Sequence, residues 1–149
     1  MITQIDKPTT NERAQGRKDP LTEQIIGCCF RVHGKLGPGF PEKIYQSALI
    51  RSMGAAGLAV EREQRFEVMF DEASVGAFRV DLLVEGQVVL EVKAVNGPMP
   101  RVFAAQVLAY LKAAKLPVGL LINFGNTSCE VKRFALSSAK SSSKSAKSK

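Results

Sequence analysis

The sequence predicts an α/β (α+β) domain, a mixed central β-sheet flanked by helices. Leu21, Ile25, Cys28, Cys29 and Val32 recur at three and four residues, and Phe103, Val107, Tyr110 and Leu111 cluster on one side in the same way. Each set marks a helix that buries one face. Residues 87–95 and 118–124 are apolar almost throughout, as central strands are. Phe66, Val68 and Phe70 alternate with Glu67 and Met69, the two-residue period of a half-exposed strand.

The chain divides into three parts. Residues 1–18 are polar and read as a flexible N-terminal arm with no apolar signal-peptide centre. Residues 19–136 form the domain. Residues 137–149 are a Ser/Lys-rich tail with nothing to bury, expected to be disordered. A chain of 149 residues suffices for one domain with a real core. No apolar run approaches the length of a membrane span, so a cytoplasmic protein is expected.

The first helix starts at Asp19-Pro20, with Asp as N-cap and Pro at the first helical position, and Gly34 and Gly37-Pro38-Gly39 stop it. A second helix covers residues 41–53. Ile44, Ala48 and Leu49 supply its inward face with Tyr45 beside it, and Gly54 and Gly57 end it. A short strand over 58–60 and a second over 66–70 follow, then a turn over 71–74. Residues 75–84 and 87–95 make a hairpin about Glu85-Gly86. After a loop over 96–100 comes a helix over 102–115, a strand over 118–124, a turn at 125–127 and a last strand over 129–136 that pairs back. The expected order is two helices, four strands, a helix and two strands.

The formal charge of +7 is uneven. Residues 137–149 carry four lysines and no acid, whereas residues 21–136 hold thirteen Lys and Arg against eleven Asp and Glu. The high isoelectric point is therefore not by itself evidence of DNA binding; the tail either adds weak, salt-sensitive attraction to nucleic acid or serves only to solubilise the chain. Cys28, Cys29 and Cys129 have no metal-ligand spacing and read as buried reduced thiols.

Chemistry concentrates in the hairpin. Asp81 lies on its first strand and Glu91-Val92-Lys93 on its second, ten residues on. Folding about Glu85-Gly86 brings Asp81 beside Glu91. Glu91 and Lys93 share a face, and Val92 points into the opposite layer. Two carboxylates and an ammonium at one spot are enough to hold a hard divalent cation and neutralise a developing anion. Gln106 and Tyr110, four apart, share a helical face, as do Glu42 and Tyr45, three apart. Arg79, two before Asp81, shares its strand face and could reach phosphate or pair with an acid. His33, the single histidine, reads as structural, with a place at the edge of the metal site as the alternative.

Gly39-Phe40-Pro41-Glu42-Lys43-Ile44-Tyr45 spells GxxExxY. Together with Val-His-Gly-Lys-Leu-Gly-Pro-Gly-Phe, Arg-Val-Asp-Leu-Leu-Val, Glu-Val-Lys-Ala-Val, Gln-Val-Leu-Ala-Tyr-Leu and Gly-Leu-Leu-Ile-Asn-Phe-Gly, it resembles the GxxExxY protein family over roughly residues 20–136. That family is similar to the PD-(D/E)xK nuclease superfamily. The resemblance implies an αβββαβ core and a metal-dependent nuclease that hydrolyses DNA with a water activated by Mg²⁺ or Mn²⁺. It makes Asp81 and Glu91 metal ligands, with Glu42 and the Val92 carbonyl completing the site. Val80 stands where the motif has Pro, a departure that removes no ligand atom. Lys93 matches the lysine that orients the water and stabilises charge. Gln106 and Tyr110 look like a QxxxY motif that positions the substrate backbone, and Tyr45 and Arg79 are further substrate-binding candidates. Nucleic acid, DNA foremost, is the implied partner, and a second copy or another protein could help to hold it. The alternatives are a non-catalytic module of the same fold that binds nucleic acid or protein, and a hydrolase of another phosphoester.

Overall fold

The structure, a computed structural model, describes residues 19–136. The arm over 1–18 and the tail over 137–149 lie outside them. Helix α1 (Pro20–Leu36) begins with Asp19 at the N-cap position, but the Asp19 side chain does not cap it. The first helical bond goes to the Asp19 carbonyl, from the N–H of Glu23 at 3.0 Å. The Asp19 carboxylate instead accepts from the Thr22 hydroxyl and lies 3.7 Å from Arg133. The helix runs through Gly34 and stops at Gly37, whose φ of 69° suits a residue without a side chain.

Helix α2 (Glu42–Ala55) buries Tyr45, Gln46, Leu49 and Met53. Ile44, expected inside, is 42% exposed, and Tyr45 is fully buried. Leu49 and Ala48 face inward as expected, and Tyr45 takes the place expected of Ile44. The ring packs while its hydroxyl finds polar partners in the preceding loop.

Strands β1 (Val60–Phe70) and β2 (Ala73–Val84) form a long antiparallel ribbon. The two strands expected over 58–60 and 66–70 are thus one, which leaves three strands rather than four before the third helix. Glu61-Arg62-Glu63-Gln64-Arg65 read as a break, yet β1 is an edge strand, where polar residues remain solvated. Both hairpin turns, Asp71-Glu72 and Glu85-Gly86, have positive φ at both positions, the geometry that matches strand twist.

Strand β3 (Val88–Lys93) is the middle strand of the sheet order β1-β2-β3-β4-β5. Helix α3 (Arg101–Ala114) crosses over to β4 (Val118–Asn123), which runs parallel to β3, and β5 (Glu130–Ala135) returns antiparallel. The result is a five-stranded mixed sheet with α1 and α2 on one face and α3 on the other. Ile25, Leu49, Met53, Leu82, Leu90 and Ile122 fill the first layer. Val80, Leu83, Val89, Val107, Leu111 and Leu121 fill the second. Helix α3 packs closely on β4 because Gly119 leaves room, as a Cβ there would lie 2.9 Å from a Val107 methyl. No helix among the described residues is long and apolar enough to cross a membrane.

Candidate active site

The β1–β2 ribbon is regular on either side of Glu63 and Asp81, through Arg62↔Leu82 and Gln64↔Val80, and distorted between. Glu63 has a φ of 53°, uncommon for a residue with a side chain. Val80 packs in the α3 layer and Leu82, two residues on, in the α1–α2 layer. A regular strand would put both on one face. Asp81 sits where β2 changes face.

The ladder between β2 and β3 ends at the same place. It runs from Val84↔Val88 to Leu82↔Leu90, and beyond that side chains replace main chain. The Asp81 N–H donates to Glu91 Oε2 at 2.9 Å, and the Val92 N–H donates to Asp81 Oδ2 at 2.8 Å. The strands therefore fork with two carboxylates in the opening. On its other edge β3 stays paired to β4 as far as Lys93↔Asn123, so Glu91 is held in the sheet and only 4% exposed.

Burial raises the Glu91 pKa to about 7, and the Asp81 charge adds to the rise. The Asp81 N–H and the Lys93 charge oppose it, while Glu42 raises it further. Asp81 is also raised, first by burial and also by Glu63, against the Val92 N–H, Lys93 and Lys43. The opening is thus an anionic site short of positive charge. Glu42, at the exposed start of α2, and Glu63, which pairs with Lys43 at 3.3 Å, contribute to its field.

Helix α3 closes the third side. Lys93 lies with its ammonium 4.3 Å from the centre of the Phe103 ring, a cation–π contact that replaces lost hydration. Phe103 reads in the sequence as packing alone, so this contact was not anticipated. Tyr110 stacks on Phe78 with ring centres 4.3 Å apart. Its pKa is raised by burial and then by Glu91 and Asp81, so its phenol lies within the acids' field. Gln106 is half-buried one turn earlier on the same helix.

Two asparagines secure the chain after Lys93. Asn123, fully buried, accepts from the N–H groups of Val95 and Gly125 and donates to the Val95 carbonyl. Asn126 clasps Gly97 in the same way, accepting at 2.7 Å and donating at 3.0 Å. A Cβ on Gly125 would lie 2.3 Å from the Val95 carbonyl oxygen, so only glycine permits this approach. His33 Nε2 donates to the Asn126 carbonyl at 2.9 Å, the structural role expected of it. A sequence signal for this clamp existed, since Asn123 stands in an apolar strand where an amide needs partners.

Two candidates sit elsewhere. Tyr45 is in the core, stacked 4.5 Å from Phe124, with its hydroxyl donating to the Gly37 carbonyl and accepting from the Phe40 N–H. It locks the Gly37–Phe40 loop and has no surface to offer a substrate. Arg79 is exposed and pairs across the ribbon with Arg65. The change of face at Asp81 breaks the alternation that would have put Arg79 on the same side as Asp81. Val92 turns its side chain into the α1–α2 layer, as expected.

A family model described as the PD-(D/E)XK nuclease superfamily matches residues 19–134. The chain belongs to the PD-(D/E)XK nuclease superfamily. No curated protein and no solved structure matches it. Among the described residues the five-stranded mixed sheet between three helices is a PD-(D/E)XK nuclease-like fold, and the match covers nearly all of them. Within it, no three His, Cys, Asp or Glu side chains among the described residues form a ready-made cage for a metal. The donors near the fork are nevertheless all hard oxygens in a site of excess negative charge, which suits a hard divalent cation.

Proposed function

We propose that this PD-(D/E)XK chain is a metal-dependent nuclease that hydrolyses DNA phosphodiester bonds with a water activated by Mg²⁺ or Mn²⁺. The observation that carries this reading is the pairing of Asp81 with Glu91 in the opened sheet, with Lys93 two residues on. Two close acids repel each other and repel phosphate, and a divalent cation removes both penalties. Asp81 and Glu91 would hold it, with Glu42 and the Val92 carbonyl completing the set. Mg²⁺ keeps several waters, so few protein ligands suffice. When bound, such an ion supplies Lewis acidity and lowers the pKa of a coordinated water.

The chain's own groups complete the chemistry. The water gives up a proton to solvent and its oxygen bonds to phosphorus as the bond to the sugar oxygen breaks, and the departing oxygen takes a proton from solvent. Lys93, steadied on Phe103, offers a positive charge that counts most as negative charge grows on the phosphoryl group. Gln106 and Tyr110 offer an amide and a phenol to the substrate backbone. Membership of the GxxExxY family, read from Glu42 and Tyr45 in their motif, belongs to the same proposal. Three free, buried cysteines support a reducing, cytoplasmic setting.

A second reading draws on one observation. Both acids already bind main-chain N–H groups, so they could serve only as staples of a non-catalytic module that binds nucleic acid or protein. A cleavage panel on single- and double-stranded DNA and RNA, with Mg²⁺, Mn²⁺ or EDTA, separates the two. Metal-dependent cleavage of DNA that Asp81→Asn abolishes supports the nuclease. A folded chain that cuts nothing with either metal supports the module.

A further inference from the structure

Two surfaces that the proposed chemistry does not use are complementary to each other. The first is the far end of the β1–β2 ribbon. Phe66 and Phe78 stack with ring centres 5.6 Å apart, and Phe78 stacks in turn on Tyr110, which anchors the ribbon's base to the domain. Beyond them pairing continues to Phe70↔Ala73, with a bulge between Val68 and Met69. Four residues of strand extend about 13 Å past that anchor. Met69, Phe70 and Val75 there are 59%, 66% and 63% exposed. Between Phe66 and Phe78 stand three acids, Glu67, Asp71 and Glu72, and no Lys or Arg. An apolar, acidic tip of this kind is suited to a partner and repels nucleic acid.

The second surface is a groove of about 640 Å³ between α1 and α2. Its apolar part includes Cys28, Val32 and Ala48, and Arg31, Lys35 and Arg51 supply its charge. Among the described residues no acidic side chain and no strand residue lines it. It therefore opens on the side of the helical layer away from the sheet, where the chain's own ribbon does not lie.

We propose that the ribbon tip of one copy docks in the α1–α2 groove of a second copy. Met69, Phe70 and Val75 would cover the apolar floor, and Asp71 and Glu72 would face Arg31, Lys35 and Arg51. Exchange in both directions about a two-fold axis satisfies both surfaces on both copies and closes the assembly as a dimer. Nucleic acid is the poorer occupant, because an apolar floor offers nothing to phosphate and none of the acids of the fork lines the groove.

Charge reversal tests the fit of tip to groove on the full-length chain. Sedimentation or light scattering should show a dimer for the wild type. Asp71→Lys with Glu72→Lys should weaken it by about tenfold or more, and so should Arg31→Glu with Arg51→Glu, because each places like charges together. Mixing the two reversed proteins should restore a dimer, since each ribbon then meets a groove of opposite sign. Circular dichroism melts establish that both variants are folded. A wild type that stays monomeric, a dimer indifferent to both reversals, or failure of the mixture to associate would each overturn the proposal. So would loss of nucleic-acid binding in Arg31→Glu with Arg51→Glu that the equally monomeric Asp71→Lys with Glu72→Lys does not share, which would make the groove a phosphate site.

Discussion

Asp81 and Glu91 are joined across the fork by a hydrogen bond from the Asp81 main chain to the Glu91 side chain at 2.9 Å. The Asp81 carboxylate answers by taking the N–H of Val92 at 2.8 Å. Each acid thus does for the sheet what a main-chain carbonyl does elsewhere in the ladder. The arrangement keeps two carboxylates together in a poorly hydrated place, and stability is set against charge there.

That conflict has a pH signature. The Glu91 pKa in the folded chain is about 7, above its ordinary value of 4.5. The folded state therefore holds a proton that the unfolded state has released, and stability falls as pH rises between these values. The penalty is absent below the lower value and complete above the upper one, with an upper bound of about 3 kcal/mol. Chemical denaturation of the metal-free protein across this range should show the decline. Glu91→Gln should remove most of it, and Mg²⁺ should flatten the wild-type curve. Parallel curves for wild type and Glu91→Gln would show that Glu91 is not the group responsible.

Ligand charge can be separated from shape. Asp81→Asn and Glu91→Gln keep oxygens able to accept the same main-chain N–H groups. Both variants should fold, melt at or above the wild-type temperature near neutral pH without metal, and lose cleavage. Calorimetry with Mn²⁺ should show binding to wild type and none to the double variant. Cleavage at the wild-type rate in both single variants would place the activity elsewhere.

Lys93 divides an enzyme from a binding module. Lys93→Ala should slow single-turnover cleavage by roughly two orders of magnitude, the scale seen when one electrostatic stabiliser is lost. Affinity for the same oligonucleotide should change far less, because the main interaction is made as the bond breaks. Phe103→Leu should produce a smaller loss in the same direction by freeing the ammonium. Unchanged cleavage with sharply weaker binding in Lys93→Ala would remove Lys93 from the chemistry.

The clamp behind Lys93 has a stability test. Asn123→Ala leaves the Val95 N–H, the Val95 carbonyl and the Gly125 N–H without their partner in a partly buried place. A loss of roughly 1–3 kcal/mol in unfolding free energy is expected, since an unpaired polar group costs about that much where it is buried and less where water can reach it. Tyr45→Phe should cost about 1 kcal/mol by releasing the Gly37–Phe40 loop, without altering cleavage. A Tyr45→Phe variant of normal stability that binds substrate poorly would return Tyr45 to the site.

Local pattern alone determined the helices, strands β2 to β5 and the closeness of Asp81 to Glu91 through Glu85-Gly86. These rest on periodicity and turn chemistry, which act between near neighbours. The continuity of β1 through Glu61–Arg65 was hidden, because an edge strand needs no apolar face and only its pairing with β2 reveals it. The burial of Tyr45 in the place expected of Ile44 was decided by Phe124, seventy-nine positions away and stacked on the ring. The role of Arg79 turned on the distortion at Glu63, which no period-two count contains. Lys93 found Phe103 and Asn123 found Val95 only when α3 and β4 came to lie beside β3. Distances along the chain set which faces side chains share, but which faces meet is settled when the layers pack.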